Sequence, residues 1–233
     1  MQPISSFYLC IDLGDIVYSL LISKLLGVRK LVLDGGCGVV KFNWESAKFI
    51  KPLLESQSYI ERVEDYSGQP FDYNYGIHPH NIPVITNTDL TKFHASKFDL
   101  LDHPELNNPW LESEINNDSF LKDKKIIINR TNRYHGDYTF YSNFLKYIHP
   151  KYLLFLGLRE EHELFQNTFS IKIDYIETKD IISLTKIINS IPNFLGNESL
   201  ICAIATGLGK NCYIEYGRHA ANYIFNRQNI IYF

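Results

Sequence analysis

Three stretches of the chain combine residue types that could do chemistry. In the first, Ile11-Asp12-Leu13-Gly14-Asp15-Ile16-Val17-Tyr18-Ser19, an apolar run passes into an amphipathic one through Gly14 and Asp15. A glycine there frees the backbone for close approach of a ligand, and the start of a helix can hold an anion. Asp15 is placed where a carboxylate projects into the crevice beyond the strand ends, the usual ligand site of open α/β sheets. The plainer alternative makes Asp15 a helix N-cap, worth ~1 kcal/mol. No G-x-G-x-x-G is present, so an ordinary dinucleotide site is not supported.

The second stretch, Asn129-Arg130-Thr131-Asn132-Arg133-Tyr134-His135-Gly136, directly follows an apolar run. Two arginines among amides and hydroxyls at the end of a strand suit phosphate recognition, because guanidinium grips phosphate oxygens with paired donors. A solvated loop whose arginines pair with acidic neighbours is the alternative. In the third, Phe194-Leu195 leads into Gly196-Asn197-Glu198-Ser199 and a small-residue helix. Backbone donors at that helix start could hold a diphosphate while the side chains read a ribose or hexose; a capped β–α turn is the alternative. Leu156-Gly157-Leu158-Arg159-Glu160-Glu161 is a further strand-to-helix turn, suited to a nucleotide base or to capping alone. His78 and His80 flank Pro79, more in the manner of a surface loop than of a ligand pair, and no cluster around them makes a metal site.

These stretches need elements to position them, and the hydrophobic pattern supplies strands and helices in alternation. Strands are expected over residues 7–11, 30–33 and 60–63, with helices over 16–26, closed by Gly27, and 44–54. Between residues 66 and 117 the pattern blurs into loops, with a helix near 91–101 and a linker candidate at 103–110, rich in proline and turn residues. Alternation then resumes. Strands are expected at 125–129, 152–156, 172–176, 193–195 and 211–214, and helices at 139–147, 160–167, 181–188, 199–206 and 220–225. Such β-α-β alternation marks parallel sheets with crossover helices. The expectation is two small Rossmann-like α/β halves facing across a cleft, residues 1–115 and 116–233.

Composition agrees with a folded, water-soluble chain. Of 233 residues, 45% are hydrophobic and 21% charged, enough to build a core. The 14% of aromatic residues points to aromatic-rich packing or a stacking surface. The net charge of −3 weighs against a nucleic-acid partner, although it does not report on a local basic groove. Cys10, Cys37, Cys202 and Cys212 show no C-x-x-C spacing, so reduced, buried thiols are expected. The N-terminus lacks the order of a signal peptide, and no apolar run reaches the ~18 residues of a membrane span. A cytoplasmic protein is expected.

Taken in this order, the motifs resemble a GT-B-fold glycosyltransferase, nearest the ADP-heptose:lipopolysaccharide heptosyltransferase family. Leu13-Gly14-Asp15-Ile16-Val17-Tyr18-Ser19-Leu20 is similar to that family's Gly-Asp turn, and residues 152–163 to its strand-Gly-x-x-x-Glu turn. Residues 181–210 resemble its helix, strand, polar turn and Ala-rich helix ending at Gly-Lys. The chain is shorter than typical members, and Asn197-Glu198-Ser199-Leu200-Ile201-Cys202 stands where they carry Asp-Ser-Gly-Pro-x-His.

The resemblance implies metal-independent, inverting transfer of a sugar from a nucleotide diphosphate-sugar substrate, with no cofactor. The acceptor would be a glycan, a lipid-linked sugar or another hydroxyl compound. Asp15 would be the general base. Donor contacts would come from Arg130, Arg133, Gly157, Gly196, Asn197, Glu198 and Ser199, and Gly14, Tyr18, His78 and His80 would line the acceptor side or cleft. An epimerase or hydrolase on the same scaffold, a non-catalytic nucleotide-sugar binder and a transferase acting on DNA bases are the competing readings.

Overall fold

The computed structural model describes residues 4–37, 42–76, 90–133, 136, 138–215 and 227–233. His78, His80, Tyr134, His135 and the helix expected at 220–225 lie outside the described residues. The chain divides into two compact units, one running to Glu112 and the other beginning at Ser113.

The first unit is a parallel sheet in the order β3-β2-β1-β4, built from β1 (Ser6–Leu9), β2 (Lys30–Leu33), β3 (Arg62–Asp65) and β4 (Tyr73–Asn74). Its helices are α1 (Leu13–Leu26), α2 (Trp44–Glu55) and α3 (Leu90–Lys97). Phe7, Leu9, Leu31 and Leu33 are fully buried, as are Ile16, Val17 and Leu20 of α1. Burial on α1 is nearly continuous from Asp15 to Ser23. Its two serines tolerate this because Ser19 donates to the Ile16 carbonyl at 2.7 Å and Ser23 to that of Ser19 at 3.0 Å.

Two features of this unit depart from the sequence pattern. The stretch 72–76, read as a loop, contains β4, which has only two residues and no apolar alternation. Asp72 holds it in register: one carboxylate oxygen accepts from the backbone N–H and hydroxyl of both Ser5 and Ser6, at 2.7–3.0 Å. Nor is the proline-rich stretch 103–110 a free linker. Leu106 and Trp110 are buried, the Trp110 indole donates to the Val17 carbonyl at 2.9 Å, and the Trp110 carbonyl accepts from the Tyr59 hydroxyl at 2.8 Å. The turn signals are real, but a buried tryptophan binds them to the core.

The second unit is a six-stranded parallel sheet in the order β10-β9-β8-β5-β6-β7. The strands are β5 (Ile126–Asn129), β6 (Leu153–Leu156), β7 (Asp174–Ile176), β8 (Asn193–Asn197), β9 (Asn211–Glu215) and β10 (Ile230–Tyr232). Between them run α4 (Thr139–Leu145), α5 (Arg159–Phe169), α6 (Ile181–Ser190) and α7 (Leu200–Gly207). All four residues of β5 and all four of β6 are buried, as the continuous apolar runs Ile126-Ile127-Ile128 and Leu153-Leu154-Phe155-Leu156 require of central parallel strands. Tyr141 and Phe165 pack on one face of this sheet with Ile128 and Phe155. The strand β10 was not legible; it is three residues long and pairs with β9 from Ile230↔Cys212 to Tyr232↔Ile214.

The cysteines divide into two kinds. Cys202 and Cys212 are free and buried, as expected, and burial pushes the Cys212 thiol up to about 12. Cys10 and Cys37, also expected to be reduced, are joined by a disulfide across a Cα–Cα distance of 6.3 Å. The register explains the proximity: Leu9 lies opposite Leu33, so the chain leaving β1 and the chain leaving β2 emerge side by side. Spacing along the sequence does not carry that information. Alkylation of the unfolded but unreduced chain, counted by mass spectrometry, is therefore expected to label Cys202 and Cys212 alone, and all four cysteines only after reduction.

Candidate functional site

In an open parallel sheet a ligand crevice forms where successive connections leave in opposite directions. In the second unit the chain runs from β5 outward through β6 and β7, then returns to β8 on the other flank of β5 and continues to β9. The reversal falls between β5 and β8, so the loop after Asn129 and the turn after Asn197 meet there. In the first unit β2 and β4 flank β1, and the reversal falls at the end of β1, just before Asp12 and Asp15. The first three sequence stretches singled out for chemistry therefore sit at the two reversal points, and the turn 156–161 follows the neighbouring β6.

Gly196 lets β5 and β8 come together. It lies opposite Asn129 in the ladder, and a Cβ there would stand 1.9 Å from the Asn129 carbonyl oxygen. Around this contact the polar side chains bind one another. The Ser199 hydroxyl donates to Asn129 Oδ1 at 2.6 Å, and Asn129 Nδ2 donates to the Leu156 carbonyl at 2.8 Å. Asn197 Oδ1 accepts from the Thr131 backbone N–H at 2.9 Å, while its Nδ2 donates to the carbonyls of Thr131, at 3.0 Å, and Arg133. Ser199 is also the N-cap of α7, accepting from the Cys202 N–H at 3.1 Å. Asn197 and Ser199, expected to touch a donor, thus use their side chains to hold the loop 130–136 and the helix start.

The two arginines of that loop have different fates. Arg130 is 6% exposed and gives paired hydrogen bonds to Glu215, Nε to Oε2 at 2.8 Å and Nη2 to Oε1 at 2.9 Å. Its guanidinium carbon also lies 4.6 Å from the Tyr138 ring centroid and 5.3 Å from that of Tyr141. Its Nε and Nη2 donors are thus taken up by a carboxylate on β9, two strands away. Burial, then the charge of Glu215, holds the Tyr141 phenol well above its ordinary range. Arg133, by contrast, is exposed, with its charge in electrostatic reach of Glu161.

Glu161 is the acid of the Gly-x-x-x-Glu turn. Its Oε2 accepts from the Leu158 N–H at 3.1 Å, and burial raises its carboxyl above the ordinary range. Gly157 holds the turn open with φ +147°, and a Cβ there would come within 2.9 Å of both Asn129 Nδ2 and Glu161 Oε2. Glu198 is half-buried just before the α7 cap. Arg133 and Glu161 are thus within electrostatic reach of one another at this edge.

In the first unit, α1 begins at Leu13, three residues earlier than expected, with Asp12 as its N-cap residue. Gly14 therefore lies in the first turn of the helix and adopts no positive φ. Asp15 follows in that same turn, 9% exposed. Tyr18 is buried one turn further on, its ring centroid 5.9 Å from Trp110, in the core rather than at the strand ends. Sequence reasoning missed Glu215 as a member of the second unit's polar network and placed Asn129 in its loop without its bond to Ser199. A charged or amide residue ending an otherwise apolar strand was the available signal.

Two parallel-sheet units of this topology define the GT-B fold of glycosyltransferases, and comparison with solved structures finds that fold. A glycosyl transferase family 9 protein from Veillonella parvula DSM 2008 superposes over 98% of this chain and 84% of its own, with a TM-score of 0.66 at 12% identity. The E. coli heptosyltransferase WaaC, solved with ADP-2-deoxy-2-fluoro heptose, superposes over 98% and 92%, with a TM-score of 0.58 at 10% identity. TibC, an iron-containing dodecameric glycosyltransferase of enterotoxigenic E. coli H10407, matches over 98% of this chain and 62% of its own, with a TM-score of 0.57 at 8% identity. No protein-family model matches the sequence, and no curated protein matches it. Among the described residues no group of three His, Cys, Asp or Glu could hold a metal ion, and no helix is long and apolar enough to cross a membrane.

The close contact at Gly196 makes a direct prediction. Gly196→Ala must part β5 from β8 or displace the Asn129 carbonyl, and is expected to destabilise the protein by ~1–3 kcal/mol, the usual result of overpacking. Thermal or urea denaturation measures this, and an unchanged midpoint would show that the strands have room there.

Proposed function

We propose that this protein is a glycosyltransferase that moves a sugar from a nucleotide diphosphate-sugar donor to an acceptor hydroxyl, without a metal ion and with inversion. The observation that carries this reading is the reversal point between β5 and β8. There Arg133, Glu161, Glu198 and the start of α7 gather at the edge where open α/β sheets bind ligands. The structural neighbours WaaC and TibC, solved with ADP or ADP-heptose, support a donor of this class.

In this mechanism the donor lies on the second unit. Arg133 and the N–H groups in the first turn of α7 stabilise the charge that grows on the departing diphosphate. Glu161 and Glu198, as carboxylates, accept hydrogen bonds from sugar hydroxyls and are ill suited to phosphate. The first unit serves the acceptor. Asp15, at the start of α1, takes the proton of the attacking hydroxyl. The hydroxyl oxygen bonds to the anomeric carbon as the bond to the diphosphate oxygen breaks, and direct displacement inverts that carbon. A glycan, a lipid-linked sugar or another hydroxyl compound fits as acceptor.

The decisive experiment incubates the protein with a panel of nucleotide sugars and follows released nucleotide with and without acceptors. Release that depends on the acceptor supports transfer. Release without one identifies a hydrolase, and tight binding without release identifies a binding protein.

Two substitutions assign the roles. Asp15→Asn is expected to lower turnover ~10²–10⁴-fold, the contribution of a positioned base, with donor affinity unchanged. Full turnover in that variant would leave Asp15 a structural residue. Arg133→Ala is expected to weaken donor binding by ~1–3 kcal/mol in calorimetry, the scale of a charge-assisted hydrogen bond.

A further inference from the structure

The donor reading leaves unexplained why the second unit buries an ion pair at its ligand edge. Glu215 is fully buried at the end of β9, and Arg130 follows β5. The registers place Asn129 opposite Gly196 and Asn197 opposite Glu215, so Arg130, Asn197 and Glu215 form one row across three strands at their C-terminal ends. Glu215 does more than neutralise Arg130. Its Oε1 also accepts from the Gly136 backbone N–H at 2.6 Å. One carboxylate thus ties down the loop at both ends: the first residue through the guanidinium, the seventh through its backbone. The middle of the loop is held at the Thr131 and Arg133 backbones by Asn197.

We propose that Glu215 is a positioning residue for donor binding: acting through Arg130 and Gly136, it sets the loop geometry that presents Arg133 to the diphosphate. The proposal rests on the donor reading above. A pair serving stability alone has no need of this design, because apolar side chains of similar volume hold a sheet at least as well as a buried ion pair. What an ion pair with paired donors adds is fixed geometry, and here the fixed object is a loop rather than a strand. Tyr138 and Tyr141, packed on the Arg130 guanidinium, add to that fixation from the start of α4.

The test is a double-mutant cycle on binding of nucleoside diphosphates. ADP, UDP and GDP are titrated calorimetrically into the full-length protein, and the tightest binder is carried forward. The paired change Arg130→Met with Glu215→Leu removes both charges together and leaves no buried charge unpaired. Its folding is checked by circular dichroism and melting. The expected result is an affinity about tenfold below wild type, roughly 1.4 kcal/mol. Adding Arg133→Ala should then cost less than about twofold, whereas the same change alone costs about tenfold or more.

A structural role would lower the melting temperature yet leave the effect of Arg133→Ala intact. That outcome, or wild-type affinity in the paired variant, overturns the proposal. If the paired variant does not fold, Arg130→Lys replaces it, retaining the charge while losing the paired donors. It should weaken binding several-fold and reduce the effect of Arg133→Ala, and wild-type behaviour in both respects overturns the proposal. Absence of binding to any nucleoside diphosphate by the wild-type protein refutes instead the donor reading on which it rests.

Discussion

Where β8 passes β5, the two backbones stand so close that no side chain fits on Gly196, whose Cβ would reach 1.9 Å from the Asn129 carbonyl oxygen. Much of the second unit's ligand edge follows from this approach. It brings Asn129 within reach of the Ser199 hydroxyl and Asn197 within reach of the Thr131 backbone, so loop and helix start are fixed to each other by side chains. Beyond β8, Arg130 reaches Glu215, on a strand that is not its neighbour. A larger residue at 196 would disturb the loop, the cap of α7 and the ion pair together, because all three share one strand spacing.

The polar residues at this edge fall into two groups according to burial. Asn129, Arg130, Asn197 and Glu215 are all buried, and a buried polar group costs free energy unless it is hydrogen-bonded. They satisfy one another, and their removal singly would leave partners stranded; for an ion pair such as Arg130–Glu215 the loss is about 3–5 kcal/mol. Glu161 is buried as well, its Oε2 accepting from the Leu158 N–H, whereas Arg133 is exposed and Glu198 half-buried. The same division explains why two arginines three residues apart in one loop serve different ends.

That division also marks how far the sequence could be read. Apolar runs such as Ile126-Ile127-Ile128 and Leu153-Leu154-Phe155-Leu156, each followed by a glycine- or amide-bearing turn, made the parallel units legible. Strands without such a run were not: β4 exists because Asp72 binds Ser5 and Ser6, and β10 because it lies beside β9. The loop at 130–136 was legible as a polar turn after an apolar strand, but the pairing of Arg130 was not, since its partner is 85 residues away in sequence. For the same reason Cys10 and Cys37 gave no sign of pairing, 27 residues apart. Residue type announces chemistry, whereas strand order decides which of it is spent internally.

The two units reach their ligand edges by different physical routes. In the second, geometry comes from side chains locking an irregular loop against a neighbouring turn, and the exposed charges ride on that loop. In the first, Asp15 is carried by the opening turn of α1, a helix whose burial from Asp15 to Ser23 makes it part of the core. A carboxylate so placed has little freedom to move. Precision at Asp15 thus comes from a helix buried as a whole, whereas Arg133 depends on a few side-chain bonds to its loop, those of Asn197 and Glu215 above all.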